Sequence, residues 1–484
     1  MSPPLAPAPL LRPTESLLVF SDVHLGTDVD DRLEGGFAPR RRPERIDRHL
    51  TALLDHYANE KPAADRWRIV VAGDLLDLIG MSVLPQKDEA VRTAPTSEEL
   101  AHGLGSAPDH VCIKLARVAT RHPEVMASLA AFVARGNALT VVIGNHDAEL
   151  HWDEARECFR ELLAERAGDV DRAEFKARVE FTDWFFYEPG VAYIEHGHQY
   201  DPLCATENHL RPVAPLDATR MTRGFCDVLL RQVVRPTHGM FEHGHDGMGV
   251  LDYLRFAVKL GVRGMVTLGM RFARAIRDLL HLRREHRTPA GERLRKQHRA
   301  LIRAFAKRAR LKLRRLRAIA ALQAEPITRS VYGILGTLLI DRVALGATSL
   351  VLVLTALALG LKWPVFFGVA GALALGWWLA NRALSKLRNL KEVDALLVER
   401  APRVAALLPA AFVVMGHTHS PREIRLDGVE ATYFNLGSWS EEESASGEEI
   451  HVATRTHLVV EVLDGKPTAE LRVWRDDGPS RYTA

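Results

Sequence analysis

Residues that could bind metal ions follow five short apolar runs along the sequence. The motifs are S-D-V-H (21–24), G-D-L-L-D (73–77), G-N-H-D (144–147), H-G-H (196–198) and G-H-T-H (416–419). Side chains two residues apart in an extended chain point to the same side, so D-x-H can offer two donors to one ion. One such motif carries little weight, because an isolated Asp or His is more often a core or capping residue. Together the five supply carboxylate, amide and imidazole donors that suit two divalent cations such as Mn, Fe or Zn.

Each motif follows a segment with the pattern of a buried strand. These segments are residues 17–20, 67–71, 139–143, 191–194 and 412–415. Helical patterns fill residues 45–57, 123–135, 153–165 and 391–408. Residues 81–110, which contain Pro, Ser, Thr and Gly, predict a long loop. The alternation predicts an α/β fold with its site at strand ends.

The ordered set D-x-H, G-D-x-x-D, G-N-H-D, H and G-H-x-H resembles the calcineurin-like metallophosphoesterase superfamily. The motifs cover residues 15–205 and 396–475. The resemblance implies a two-sheet sandwich flanked by helices, and a hydrolase that uses two divalent metal ions, Mn first, with Fe or Zn as alternatives. The N-L-G-S run at 435–438 is similar to a structural turn of the family.

The resemblance also implies which side chains hold the two metal ions. The ligands of one ion would be Asp22, His24, Asp74 and His419. Asp74 would bridge to a second ion, whose other ligands would be Asn145, His196 and His417.

The implied catalytic residues are His146 and Asp147. Two cations bridged by one carboxylate can activate a shared water and neutralise phosphoryl charge, so no protein nucleophile is needed. His146 would lie near the leaving oxygen and protonate it, and Asp147 would orient His146. His198 could contact the metal ligands or could be a capping or core residue. The remaining ligand-like histidines, outside the motif series and expected in a loop, are His238, His243 and His245.

The last motif lies far from the others along the chain. In compact members of the superfamily the single His and the G-H-x-H motif lie a few tens of residues apart, whereas His196 and His417 are separated by 221 positions. We therefore expect residues 206–395 to form a helical insertion in a catalytic domain made of 16–205 and 396–484. The proline-rich residues 1–15 predict a disordered leader.

The insertion contains two uncharged stretches, 19 residues at 343–361 and 16 residues at 365–380. As helices they would be about 28 and 24 Å long, close to the ~30 Å hydrocarbon core of a bilayer. The small residues and the Trp377-Trp378 pair favour a transmembrane hairpin over a buried helical pair.

Basic residues flank the expected hairpin on both sides. Residues 271–317 contain 18 Lys or Arg against three acids, whereas the connecting turn has only Lys362. The charge bias predicts an inner-membrane protein whose catalytic domain lies on the cytoplasmic side. Within this basic segment an apolar stripe predicts an amphipathic helix on anionic headgroups, with a solvated helix pair as the alternative; the stripe is Ile302, Phe305, Ala309, Leu313 and Leu316.

The composition of the chain excludes some classes of protein. The chain has 484 residues, 47% of them apolar and 26% charged, which excludes a fibrous or wholly disordered protein. A net charge of +3 argues against a uniformly basic nucleic-acid-binding surface. The four cysteines form no C-x-x-C pair, so we expect a reducing compartment.

The predicted function is a membrane-attached phosphohydrolase that cleaves a phosphomonoester, phosphodiester or pyrophosphate of a lipid-linked or membrane-proximal substrate. The D-x-H-L-G opening resembles the bacterial UDP-2,3-diacylglucosamine diphosphatases, which have G-N-R-D where this chain has G-N-H-D. A nucleoside monophosphate leaves with little protonation, whereas an alkoxide needs an acid. His146 therefore tilts the chemistry toward esters.

Two other functions are compatible with parts of the sequence. D-x-H-L-G also resembles the repair exonucleases of the superfamily, so the basic segment could bind nucleic acid, although a membrane hairpin counts against this. In the other reading the fold is a non-catalytic membrane scaffold. Scaffold members usually lose metal ligands, and here every ligand position is filled.

Overall fold

The computed structural model describes residues 15–31, 41–87, 89–237, 240, 256, 258–338, 340–360, 362–387, 392–444 and 449–483. Almost all of the expected leader lies outside the described residues. So do the three ligand-like histidines of the expected loop, His238, His243 and His245.

The described strands form three sheets. The strands are β1 (Glu15–Phe20), β2 (Arg66–Ala72), β3 (Ala138–Val142), β4 (Val179–Thr182), β5 (Phe185–Glu188), β6 (Gly190–Glu195), β7 (Ala410–Met415), β8 (Arg422–Arg425), β9 (Thr432–Asn435), β10 (Glu442–Glu443), β11 (Glu449–His451), β12 (Thr456–Leu463), β13 (Lys466–Arg475) and β14 (Gly478–Arg481). A seven-stranded sheet has the order β14-β13-β12-β1-β2-β3-β4, and a five-stranded sheet has the order β5-β6-β7-β9-β8. The strands β10 and β11 form a small third sheet. Every strand that we expected from the sequence is confirmed.

Helices fill most of the remaining chain. They are α1 (Glu44–Asn59), α2 (Ser97–His102), α3 (Pro108–Arg121), α4 (Pro123–Ala134), α5 (Asp153–Ala164), α6 (Arg172–Ala177), α7 (Phe225–Leu229), α8 (Gly261–Glu285), α9 (Pro289–Arg308), α10 (Leu313–Ala320), α11 (Val331–Thr337), α12 (Ile340–Ala358), α13 (Trp363–Leu387) and α14 (Val393–Leu407). The expected loop at 81–110 is partly wrong, because α2 and the start of α3 lie in it. Thr96 accepts a hydrogen bond from the Glu99 backbone N–H and forms a capping box that starts α2.

The two large sheets pack face to face. Alternate side chains of both sheets meet in one buried apolar cluster, in which Val19 and Val70 of the first sheet join Ile194, Val414 and Phe434 of the second. A second cluster buries the outer face of the seven-stranded sheet under α1, α3, α4 and α5. The molecule is therefore a mixed α/β fold built around two sheets.

The outer face of the five-stranded sheet is covered by α9, α10 and α14. Ile302 and Phe305 of α9 and Leu316 of α10 are buried there with Tyr193 of β6 and Tyr433 of β9. The expectation that this basic stripe lies on lipid headgroups is therefore wrong. The single amphipathic helix is also wrong, because the segment forms two helices and Ala309 is exposed between them, while Ile302, Phe305 and Leu316 face the second sheet.

The expected hairpin corresponds to α12 and α13. Both helices are long and apolar enough to cross a membrane, and almost none of their length is buried in the protein. The helices extend beyond the expected 343–380, from Ile340 to Ala358 and from Trp363 to Leu387. Length and composition alone are weak evidence for a membrane span.

Two of the four cysteines are paired. A disulfide joins Cys112 of α3 to Cys158 of α5, while Cys204 and Cys226 are not disulfide-bonded and Cys204 Sγ donates a hydrogen bond to Cys226 Sγ. The cysteine count therefore gives no support to a reducing compartment, because a disulfide persists mainly in an oxidising one.

Candidate metal centre

The ligand motifs lie at the carboxyl ends of parallel strands. In the first sheet β1, β2 and β3 are parallel neighbours, and in the second sheet β6 and β7 are parallel neighbours. Parallel neighbours bring their carboxyl ends to one edge of a sheet, and the face-to-face packing brings the two edges together. The ends of β6 and β7 are adjacent, so the long insertion between them leaves the site intact.

The structure brings the predicted ligands of the first ion together. His419 Nε2 lies 3.2 Å from Asp22 Oδ1, although the two residues are 397 positions apart. His24 Nε2 lies 3.9 Å from Asp22 Oδ1 and 3.7 Å from Asp74 Oδ2. The donor atoms of Asp22, His24 and His419 all lie within 4.8 Å of one another.

The ligands predicted for the second ion are partly assembled. His196 Nε2 lies 3.1 Å from Asp74 Oδ2 and 3.0 Å from Asn145 Oδ1. His417 is near, with its ring 5.2 Å from that of His196, but its Nε2 contacts Asp201 Oδ2 at 3.1 Å. Asp201 was not among the predicted residues, although it follows the H-G-H motif closely in the same strand-end loop.

The backbone at the site is held in an unusual conformation. Five candidate ligands, Asp22, His24, Asp74, His417 and His419, have φ between 51° and 74°. This left-handed region costs a non-glycine residue roughly 1–2 kcal/mol. Such strain persists only where the surrounding structure enforces it, and it clusters at functional sites.

Two glycines allow the ligand loops to approach one another. A Cβ on Gly144 would lie 2.0 Å from Asp74 Oδ1, and a Cβ on Gly416 would lie 2.5 Å from Asp22 Oδ2. Both glycines stand directly beside predicted ligands, Asn145 and His417. The G-N-H-D and G-H-T-H motifs therefore need glycine for steric reasons.

Charges at the site favour a bound cation. Burial raises the pKa of the Asp22 and Asp74 carboxyls, but neighbouring histidines lower it more, so both pKa values lie below the usual range. Burial lowers the pKa of His196, but Asp74 and Asp22 raise it to about 9. The pKa of His24 is lowered to about 4 by burial and by His146, which leaves the neutral imidazole that metal binding requires.

The residues present could hold a divalent metal ion. Asp22 and Asp74 are almost fully buried, and among the described residues His24 Nε2 is a buried nitrogen with no hydrogen-bond partner. A buried polar atom without a partner is costly, and a metal ion would satisfy it. Cys204 forms a further group of potential ligands with Asp201 and His417, and the donor atoms of the three residues lie within 4.8 Å of one another.

His146 is oriented by a different carboxylate from the one predicted. Its Nδ1 lies 2.8 Å from Asp77 Oδ1, and its backbone N–H donates to Asp74 Oδ1 at 2.9 Å. The buried Asp147 instead accepts the backbone N–H groups of Gly144 and Leu75. The expectation for Asp147 is therefore corrected: its side chain fixes the loop, and the second Asp of G-D-L-L-D contacts His146.

The insertion contributes an arginine to this contact. Arg235 Nη2 donates to Asp77 Oδ2 at 2.6 Å, and Arg235 Nη1 donates to the Thr27 carbonyl at 2.6 Å. Sequence reasoning missed Arg235, because no motif surrounds it and its partner lies 158 positions away. His198 is also close to the site, with its ring 5.3 Å from that of His196 and Nε2 against the Gln199 amide.

The N-L-G-S turn supports the ligand loops. Asn435 donates to the Gly416 carbonyl at 3.1 Å and to the Thr418 hydroxyl at 2.9 Å. Ser438 donates to the Asp22 carbonyl at 3.2 Å. The turn is therefore structural, as the sequence predicted.

The sequence matches no protein-family model, and it matches no curated protein.

Proposed function

We propose that this chain is a metal-dependent phosphohydrolase of the calcineurin-like metallophosphoesterase superfamily. The observation that carries the proposal is the convergence of Asp22, Asp74, His196 and His419 at the carboxyl ends of strands from both sheets. The order of the motifs along the chain and the two-sheet architecture support the same family. Mn is the first candidate metal, with Fe or Zn as alternatives.

The first ion would be held by Asp22, His24 and His419, and the second by Asn145, His196 and His417, with Asp74 between them. When bound, the two ions would activate a water molecule and neutralise charge on the phosphoryl group. His146 would donate a proton from Nε2 to the leaving oxygen. Asp77 would hold Nδ1 and stabilise the protonated ring, and Arg235 would hold Asp77.

The proposed substrate is a phosphoester or pyrophosphate at a membrane surface. The helices α12 and α13 would anchor the chain, and their basic flanks favour the cytoplasmic side of the inner membrane. The Cys112–Cys158 disulfide counts against a cytoplasmic catalytic domain, and the number of reactive thiols in the unreduced chain tests the cytoplasmic location.

The first experiment compares metals and substrates on detergent-purified full-length protein. We expect Mn²⁺ to support turnover of a bis-aryl phosphodiester and Asp74→Ala to abolish it with loss of bound metal, because Asp74 contacts both ligand groups. Lipid pyrophosphates, monoesters, nucleotides and DNA complete the panel. Salt-sensitive cleavage of DNA alone would favour the nuclease alternative. Activity that survives Asp74→Ala would contradict the proposed centre.

A further inference from the structure

An exposed apolar face lies on the N-terminal half of α8. This face, called here the α8 face, consists of Val262, Met265, Val266 and Met270, whose side chains are between 40% and 75% exposed. The spacing of three and four residues places them on one side of the helix. A contiguous exposed apolar surface of this kind marks an interaction site.

The opposite side of α8 packs against other segments of the insertion. Leu268, Ala275 and Leu279 are buried in a cluster with Val233 and with Ile334 of α11. The helix is therefore held in the fold by one side, and the α8 face points away from that side. The packing fixes which residues remain available for a partner.

The charge around the α8 face suits an anionic surface. Residues 261–277 contain four arginines and no acidic residue. Arg263 and Arg274 are exposed next to the apolar side chains. Apolar residues flanked by arginines are typical of helices that lie in the interface of an anionic bilayer.

The position of α8 in the fold also favours an anionic bilayer as its partner. Ile334 of α11 packs in the same cluster, and α12, the first candidate span, begins soon after α11. If α12 enters a bilayer, α8 lies close to the bilayer surface. In the part of the chain that the structure describes, the cluster that holds α8 contains no residue of the five-stranded sheet and none of α1, α3, α4 or α5.

We propose that α8 is an interfacial helix whose α8 face inserts among the headgroups of anionic lipids. This inference rests on the membrane attachment in the proposed function. It moves the lipid contact from the stripe at 302–316 to residues 262–270. Because α8 packs on the segment that carries Arg235, lipid binding would steady the arginine that holds Asp77.

The test places an environment-sensitive fluorophore on the full-length chain through Val266→Cys. Protein is reconstituted into phosphatidylcholine vesicles, with or without an equal share of phosphatidylglycerol, and nitroxide-labelled lipid is the quencher. In the anionic vesicles we expect loss of about half of the emission, since the label would lie about 5–10 Å into the headgroup and acyl boundary. Arg263→Glu with Arg274→Glu should reduce this loss.

Three controls make the result decisive. Val452→Cys, which is 54% exposed in the catalytic part, should not be quenched. A label at Leu354→Cys in α12 measures whether the proposed anchor is in the bilayer. Quenching at position 354 without quenching at position 266 would contradict the α8 proposal and leave the membrane anchor supported. The unsubstituted chain corrects for labelling of Cys204 and Cys226. The label at position 266 could instead show the same apolar emission in detergent and in both kinds of vesicle. This result would mean that another part of the chain or a second copy covers the α8 face, and it would contradict the proposal.

Discussion

The contact between His146 and Asp77 determines how the histidine can act. Asp77 Oδ1 contacts Nδ1 of the ring, so under the proposed function Nε2 is the atom that would donate a proton to the leaving group. Arg235 holds the other oxygen of the same carboxylate. Two hydrogen bonds, from Arg235 to Asp77 and between Asp77 and His146, therefore connect the insertion to the candidate metal centre.

Replacement of His146 by Ala should slow substrates with alkoxide leaving groups by about 10²–10⁴-fold, the usual contribution of a general acid. Aryl esters should lose much less, because a phenolate leaves without protonation. The measurement is kcat for a paired series of alkyl and aryl phosphodiesters. An equal loss on both substrate types would show that His146 is not an acid.

Replacement of Arg235 by Ala should lower kcat for alkyl esters about tenfold, the cost of losing one charged hydrogen bond of ~1.5 kcal/mol. Metal content should stay unchanged, and Arg235→Lys should restore part of the rate. Arg211→Ala, an exposed arginine of the same insertion, is the matched control. Loss of metal in Arg235→Ala would instead indicate a structural role for the arginine.

Among the elements, α3 and α5 are joined by the Cys112–Cys158 disulfide across 46 residues of sequence. Closing a loop of this length restricts the unfolded chain. In the chain-entropy account this stabilises the fold by roughly 4 kcal/mol.

Reduction of this disulfide, or Cys112→Ser, should therefore lower the free energy of unfolding of the catalytic domain. Denaturant titration of the oxidised and reduced protein gives the difference, and Cys204→Ser serves as the control. Thiol titration of the unreduced, denatured chain should find two of its four cysteines reactive. Four reactive thiols would mean that the protein is kept reduced, as a cytoplasmic location requires.

Local patterns predicted the strands and the ligand motifs because both depend on nearby residues. An apolar run followed by D-x-H or G-H-T-H specifies a strand and its end without knowledge of the partner strand. Which segment packs on an apolar helix face depends on residues that are distant in the sequence. The local pattern around Phe305 therefore predicts a lipid contact, whereas in the structure the second sheet buries this side chain. Arg235 and Asp201 were missed for the same reason, since their roles come from contacts between separate loops.

At the scale of the whole molecule, the insertion combines two separable parts. The segment through α11 packs against the protein and supplies Arg235, whereas α12 and α13 leave most of their surface uncovered. The proposed anchor and the contact between Arg235 and Asp77 therefore depend on different residues.

Replacement of residues 340–387 by a flexible Gly-Ser linker should release the protein from membranes while preserving turnover of a soluble aryl phosphodiester. The reason is that every candidate ligand and Arg235 remain in the shortened chain. Sedimentation with vesicles and the aryl-ester assay measure the two effects. Full-length protein that already stays in solution without detergent would contradict the anchor.

The arrangement of the sheets also dictates an order of events during synthesis. The strand β12 lies between β13 and β1, and Val460 pairs with Leu17 at the far end of the chain. A ribosome makes α12 and α13 before it makes β7, β12 and the two histidines of the G-H-T-H motif. The nascent chain therefore contains its two long apolar helices before β12 can complete the seven-stranded sheet, and under the proposed function the full set of candidate ligands exists only after the proposed anchor has been made.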